Sequence, residues 1–133
     1  MTKVTQSNPY LDFYAANNFD LVKIAPNQKI PLENSWTSKV HKDRKEWEQW
    51  LKEGFNIGLH TGKASNITVI DVDQEEIPKE LRSLVDLSTI LIQQTTRGYH
   101  LIFQYEESIK QTQVPDLKLD IRNDGGQIVV APS

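Results

Sequence analysis

The stretch that most limits what this chain can fold into is Ile67-Thr68-Val69-Ile70-Asp71-Val72-Asp73. It is β-branched and apolar up to two carboxylates spaced one residue apart, which is the composition of a buried strand. Successive strand side chains point to opposite faces, so Asp71 and Asp73 share a face, with Cα atoms roughly 6.5–7 Å apart. Two anions that close repel each other, and a sheet centre is an expensive place for either. A divalent cation offsets that cost: Mg²⁺ or Mn²⁺ takes hard oxygen ligands, commonly one or two carboxylates plus substrate phosphates. The plainer alternative is that both aspartates end the strand and enter a turn, since Asp is a turn former.

The chain has 133 residues and no cysteine. That length is enough for one domain with a real core and too short for two, so residues 1–133 are expected to form a single domain. Without cysteine there is no disulfide, thiolate zinc site or Cys nucleophile, which fits a cytoplasmic setting. No apolar run approaches the roughly 20 residues of a membrane span, and the N-terminus has no signal-peptide pattern. The net charge is -3. A protein that held nucleic acid by charge alone would be basic. Affinity for nucleic acid therefore needs a local patch, a metal with nucleotide, or another domain.

Residues 1–7 are polar and expected to fray. Asn8-Pro9 opens a helix, with Asn8 as N-cap and a stripe of Leu11, Tyr14, Ala15 and Asn18; Asn17-Asn18 ends it. A short strand follows at residues 21–24, then a loop from 26 to 35 closed by Trp36. Asp43 starts a second helix in the manner of a capping box; Trp47, Trp50 and Leu51 supply its apolar face, and Gly54 ends it. Lys39, Lys42, Arg44 and Lys45 form a basic cluster, read as a solvated helix start in preference to a phosphate contact. Residues 56–60 read as a strand, and the turn at 61–66 makes a hairpin with the Asp71 strand. Gly62-Lys63 resembles a scrap of a phosphate loop, but the full spacing is absent and a P-loop is rejected. Exposed amides near Gly62 remain able to meet a phosphate. A short helix is expected over residues 78–85, with Leu81, Leu84 and Val85 on one side, and a strand at 90–93. After a turn at 95–98, Tyr99, Leu101, Phe103 and Tyr105 alternate with His100, Ile102 and Gln104, so the aromatic stripe faces the core and His100 faces away. Residues 106–115 read as a polar loop. Leu117, Leu119 and Ile121 then oppose Lys118, Asp120 and Arg122. Asn123-Asp124-Gly125-Gly126 is a strong hairpin signal, with 127–130 as the return strand.

Three strands thus carry polar groups on a face or at an end: Asp71 with Asp73, His100, and Asp120 with Arg122. They supply three carboxylates for metals, with a neutral or cationic donor and a guanidinium for phosphate oxygens, and phosphoryl transfer needs little else from a protein. At this point the chain resembles the primase-polymerase domain of the archaeo-eukaryotic primase superfamily, as found in plasmid and phage replication proteins. Three blocks carry the resemblance: residues 56–65 running into Val69-Ile70-Asp71-Val72-Asp73; Thr96-Arg97-Gly98-Tyr99-His100-Leu101-Ile102-Phe103; and residues 119–133. A weaker match covers residues 19–36, through Lys29-Ile30-Pro31 and Trp36. The order of the blocks is more specific than any one of them.

The resemblance implies an α/β (α+β) fold, with an antiparallel or mixed RNA-recognition-like sheet as the catalytic half, flanked by helices. It implies that Asp71, Asp73 and Asp120 bind Mg²⁺ or Mn²⁺ and act as the catalytic carboxylates. It places His100 on the incoming nucleotide's phosphates, with Arg122 reaching the same phosphates. Lys63 joins the nucleotide-binding set through its glycine turn. The expected partners are nucleoside triphosphates, a single-stranded DNA template and a helicase domain or protein, with no membrane. The sequence departs from the family in two places. A serine often stands two residues before the histidine or in a Ser-Gly-Gly lead-in, where this chain has Thr96, Arg97 and Gly98; Thr96 is the substitute hydroxyl. Family domains also usually continue past the Pro-Ser where this chain stops, so a domain truncated at its C-terminus is expected.

Two other readings stay open. A haloacid-dehalogenase-type phosphatase also sets Asp-x-Asp after an apolar strand, but it wants Thr two residues beyond the second Asp, and position 75 is Glu. A catalytically inactive single-strand nucleic-acid-binding module would stack bases on Tyr99, Phe103 and Tyr105, although these read better as core.

Overall fold

A computed structural model describes residues 8–132. The expectation that residues 1–7 fray, and Ser133 of the terminal motif, lie outside the described residues. The chain is α+β, as expected, and falls into two compact units, residues 8–60 with 128–132 and residues 61–127.

The first unit holds α1 (Pro9–Ala16), β1 (Leu21–Ile24), α2 (Arg44–Lys52) and β2 (Asn56–His60). Asn8 caps α1 as anticipated, its side chain accepting from the amides of Tyr10 and Leu11. Asp43 caps α2 by accepting from Lys45 N–H. The reciprocal half of a capping box is absent: Glu46 turns to His41, its Oε1 2.6 Å from Nδ1. Trp47 and Trp50 are buried as expected and Leu11, Tyr14, Leu21, Ile24, Ile57 and Leu59 join them in the core. Lys39, Lys42 and Lys45 are exposed, while Arg44 pairs with Asp12 and with Glu48.

His41 ties this unit's long loop to α2. Its ring is clamped between Glu33 and Glu46, each 2.6 Å away, and stands edge-on to Trp50. Burial alone would lower its pKa; the two carboxylates outweigh that and hold it above the ordinary 6.5. A second imidazole, His60, is buried against Asp20, with Nδ1 3.1 Å from Oδ2. The other oxygen of Asp20 accepts from His41 N–H at 2.6 Å.

The second unit is built on β3 (Ile67–Val72), with α3 (Lys79–Leu84), β4 (Leu91–Gln94), β5 (Tyr99–Gln104), β6 (Thr112–Val114) and β7 (Leu119–Arg122). Its sheet runs β4-β5-β3-β7-β6, and every pairing in it is antiparallel. One face carries the core: Val72, Leu101 and Leu119 pack with Leu81 of α3, and Ile70, Tyr99 and Phe103 add to them. Those residues have the opposite parity to Asp71, so the acidic residues occupy the other face.

Several sequence expectations are corrected. The two anticipated hairpins are not hairpins. β2 belongs to a three-stranded sheet of order β1-β2-β8, where β8 is Gln127–Val130, while β3 and β7 belong to the five-stranded sheet. Turn-forming residues at 61–66 and 123–126 are real, but the strands they join pair elsewhere. β6 lies within the stretch read as a polar loop; as an edge strand it needs no apolar alternation. Leu84 is 83% exposed and does not share the buried side of Leu81. Tyr105 is half-buried and is not part of the core that Tyr99 and Phe103 join. Its hydroxyl donates to Asp124 Oδ2 at 2.6 Å, and that carboxylate raises its pKa to about 12.

Candidate active site

The central strand of the five-stranded sheet is β3, and its register decides what meets Asp71. On one side Asp71 stands directly opposite His100 of β5. On the other it stands directly opposite Asp120 of β7. Residues opposite each other in an antiparallel pair project from the same face, with Cβ atoms about 4.5–5.5 Å apart. The row continues to both edges, since Gln93 of β4 pairs with His100 and Gln113 of β6 pairs with Asp120. Five strands therefore contribute one continuous polar line, Gln93–His100–Asp71–Asp120–Gln113.

Exposure is graded along this line. The His100 side chain is 8% exposed, Asp71 28% and Asp120 32%. His100 Nε2 lies 3.5 Å from Asp71 Oδ1. Two carboxylates directly opposite each other on neighbouring strands are destabilising, and each has a nitrogen-bearing neighbour. Asp71 has His100, and Asp120 has Arg122, whose Nη2 is 3.2 Å from Oδ2. Arg122 stands opposite Val69, two residues along β7 on the same face as Asp120. Its Nε is buried with no hydrogen-bond partner among the described residues, so the guanidinium retains donor capacity.

Asp73 lies just beyond β3 and is tied at its backbone to Lys118, N–H to O at 3.0 Å. Its carboxylate leans to Arg97 in the β4–β5 turn, with Nε 3.4 Å from Oδ1 and both side chains largely exposed. That turn is closed by Thr95: its N–H donates to Gly98 O at 2.9 Å, and its hydroxyl accepts from Gly98 N–H at 3.0 Å. Thr96, the anticipated hydroxyl, is exposed in the same turn. Gly98 sits against the Val72 carbonyl, and a Cβ there would collide with the oxygen.

Lys63 is at the other end of β3, in the turn before Ile67. Its amide is already engaged by Asp124 Oδ1 at 2.8 Å, and the Gly62 amide by Ile67 O at 2.7 Å. The register thus brings Asp71, Asp120, His100 and Arg122 together, sets Asp73 and Thr96 to one side of the row just past the strand ends, and leaves Lys63 toward the opposite end of β3.

A family model for the N-terminal domain of bifunctional DNA primase/polymerases (Prim-Pol) matches residues 11–133. The chain belongs to the Prim-Pol family. No curated protein matches it. Membership points to DNA primase and polymerase chemistry, a nucleotidyl transfer, and Prim-Pol enzymes generally depend on a divalent metal. Among the described residues, no group of three or more His, Asp or Glu side chains stands close enough together to hold a metal ion. The donor chemistry nonetheless fits such an ion, because Asp71 and Asp120 offer carboxylate oxygens from facing positions. No helix among the described residues is long and apolar enough to cross a membrane.

Sequence reasoning missed three contributors in this Prim-Pol domain. Gln93 was part of a strand but carried no role; only register places it beside His100. Arg97 departs from the family pattern, and its pairing with Asp73 has no local signal beyond its charge. Asn123 was read as a turn residue. It is fully buried, accepts from the Thr68 hydroxyl at 2.9 Å, and donates to Glu106 O and Ile109 O at 2.9 and 2.5 Å.

Proposed function

We propose that this Prim-Pol domain carries out metal-dependent, template-directed nucleotidyl transfer from nucleoside triphosphates, as the catalytic part of a cytoplasmic plasmid or phage replication protein that works with a helicase. The observation that carries the reading is the register: Asp71 faces both Asp120 and His100 across adjacent strands. Distant acidic residues and an imidazole thereby fall on one face of the sheet.

In this reading Asp71, Asp73 and Asp120 hold Mg²⁺ or Mn²⁺, with Asp73 turning from Arg97 to join the other two. The bound ions supply charge neutralisation at the attacking and leaving oxygens. A 3′-hydroxyl oxygen, giving up its proton to solvent, bonds to the α-phosphorus of the incoming triphosphate, and the bond to the departing pyrophosphate breaks. His100 presents Nε2 to the phosphate oxygens. Arg122 offers its guanidinium from the next position on β7, and a guanidinium matches phosphate geometry with two parallel donors. The sheet holds these groups at fixed spacing, so much of the work is positioning.

The deciding assay compares primer extension and de novo synthesis, with Mg²⁺ or Mn²⁺, for wild type, Asp71→Ala and Asp120→Ala. Product from wild type alone is expected. Equal product from all three removes the catalytic assignment. A second reading, a binding-only module for single-stranded nucleic acid, is favoured by the pairing of Asp73 with Arg97. It requires nucleotide binding that is indifferent to metal, which a titration with and without Mg²⁺ decides. A phosphatase of the Asp-x-Asp type fits poorly, because it expects a parallel body and β3 is antiparallel to both neighbours.

A further inference from the structure

The proposed chemistry uses only one edge of the His100 ring, the Nε2 edge facing Asp71. The ring is buried, with the residue 6% exposed, so its other edge also needs a defined partner. That partner stands on β4. Gln93 is directly opposite His100 in the β4–β5 register, and its Oε1 is 3.4 Å from Nδ1. The next strand inward presents Asp71 to Nε2 at 3.5 Å. The ring therefore lies between an amide oxygen and a carboxylate, both hydrogen-bond acceptors. Both neighbours can accept from the ring, and the Nε2 edge is the one that faces the place a phosphate oxygen would occupy in the proposed function.

We propose that Gln93 is a positioning residue for nucleotide binding: its side-chain oxygen accepts Nδ1–H of His100 and fixes the ring so that Nε2 faces the Asp71–Asp120 row. This rests on the reading of His100 as a phosphate ligand. The partner of a functional imidazole's far nitrogen sets both its tautomer and its rotation. Gln93 is well placed for this and poorly explained otherwise. Its strand neighbours Leu91, Ile92 and Gln94 are exposed, whereas Gln93 is half-buried with its amide oxygen toward the His100 ring.

The test measures nucleoside triphosphate affinity with Mg²⁺ at one fixed pH for wild type, Gln93→Leu, Gln93→Glu and His100→Ala. It adds nitrogen-15 spectra of the His100 ring in the metal-free, nucleotide-free protein. Gln93→Leu keeps the strand and removes the acceptor, and it is expected to weaken binding by about tenfold, the low end for losing such a partner. KM should rise more than kcat falls. Gln93→Glu keeps an acceptor and is expected to bind close to wild type, which a bulk or packing role would not predict. The wild-type spectrum should show hydrogen on Nδ1, with that signal altered in Gln93→Leu and kept in Gln93→Glu. The proposal is overturned if Gln93→Leu binds like wild type, if Gln93→Glu falls as far as Gln93→Leu, or if Nδ1 in the free protein bears no hydrogen. If His100→Ala leaves binding intact, the phosphate-ligand reading falls and the inference with it. If His100→Ala weakens binding and Gln93→Leu does not, the inference alone fails.

Discussion

Among the described residues each compact unit contains one aspartate–histidine pair, and the two are built differently. In the first unit Asp20 and His60 are both buried and 3.1 Å apart, and the second oxygen of Asp20 is occupied by the His41 amide. Trp36 covers the His60 ring edge-on, 5.1 Å between centroids. In the second unit His100 is just as buried, but Asp71 keeps 28% of its side chain exposed, the contact is 3.5 Å, and a second carboxylate stands opposite. A satisfied pair is a tie that holds a fold together. A pair with an open carboxylate and an opposed anion retains an unmet demand for positive charge, which is why the proposed function places the metal and nucleotide there.

The sharpest way to break this contrast is to remove the open carboxylates. Asp71→Ala and Asp120→Ala are each expected to lower nucleotide incorporation by on the order of 10³-fold or more, because metal-assisted charge stabilisation contributes several kcal/mol. Their melting temperatures should stay near or above wild type, since each removes one of two facing like charges. Chelation of divalent ions from the wild type should match that loss in the same primer-extension assay.

Asp20→Ala should do the reverse. It strands the buried His60 ring and the half-buried His41 amide, and at roughly 1–3 kcal/mol for each unsatisfied group a stability loss of about 2–6 kcal/mol is expected by urea denaturation. A variant that unfolded as wild type does would show that the closed pair holds nothing.

His100→Ala is expected to weaken triphosphate binding by about tenfold, or about 1.4 kcal/mol, while leaving affinity for the unphosphorylated nucleoside little changed. An equal loss for both ligands would make His100 a packing residue like His60.

The smallest effect concerns His41. Its folded-state pKa is raised above the ordinary 6.5, so protonated His41 stabilises the fold fully below that value. The contribution fades as pH rises through the elevated folded value. A His41→Gln variant should lose this dependence, and denaturant midpoints measured from pH 5.5 to 9 check it.

Much of this was legible in the sequence, for local reasons. The caps at Asn8 and Asp43 were readable because a cap is a matter of adjacent residues. The face carrying His100 was readable because strand alternation has a fixed period. Which strand lies beside which was not. The Asn123-Asp124-Gly125-Gly126 turn has hairpin chemistry, yet β8 goes to the other sheet; turn residues specify a reversal and not a partner. The edge strand Thr112–Val114 was invisible because it is short and polar, and Leu84 because a short helix shows too few turns to fix its buried side. For the site, the sequence could put Asp71, His100 and Asp120 on faces, but their alignment in one row is a property of register. Gln93 and Arg97 enter only through that alignment.

At Gly98 the tip of the β4–β5 hairpin rests directly on the Val72 carbonyl, at the end of the strand that bears Asp71. One missing methyl group there acts as the gauge block for the whole assembly. Any larger side chain would prise the imidazole strand away from the aspartate strand, so drift at a residue with no chemistry of its own would disturb the alignment of His100 with Asp71 on which the proposed function depends.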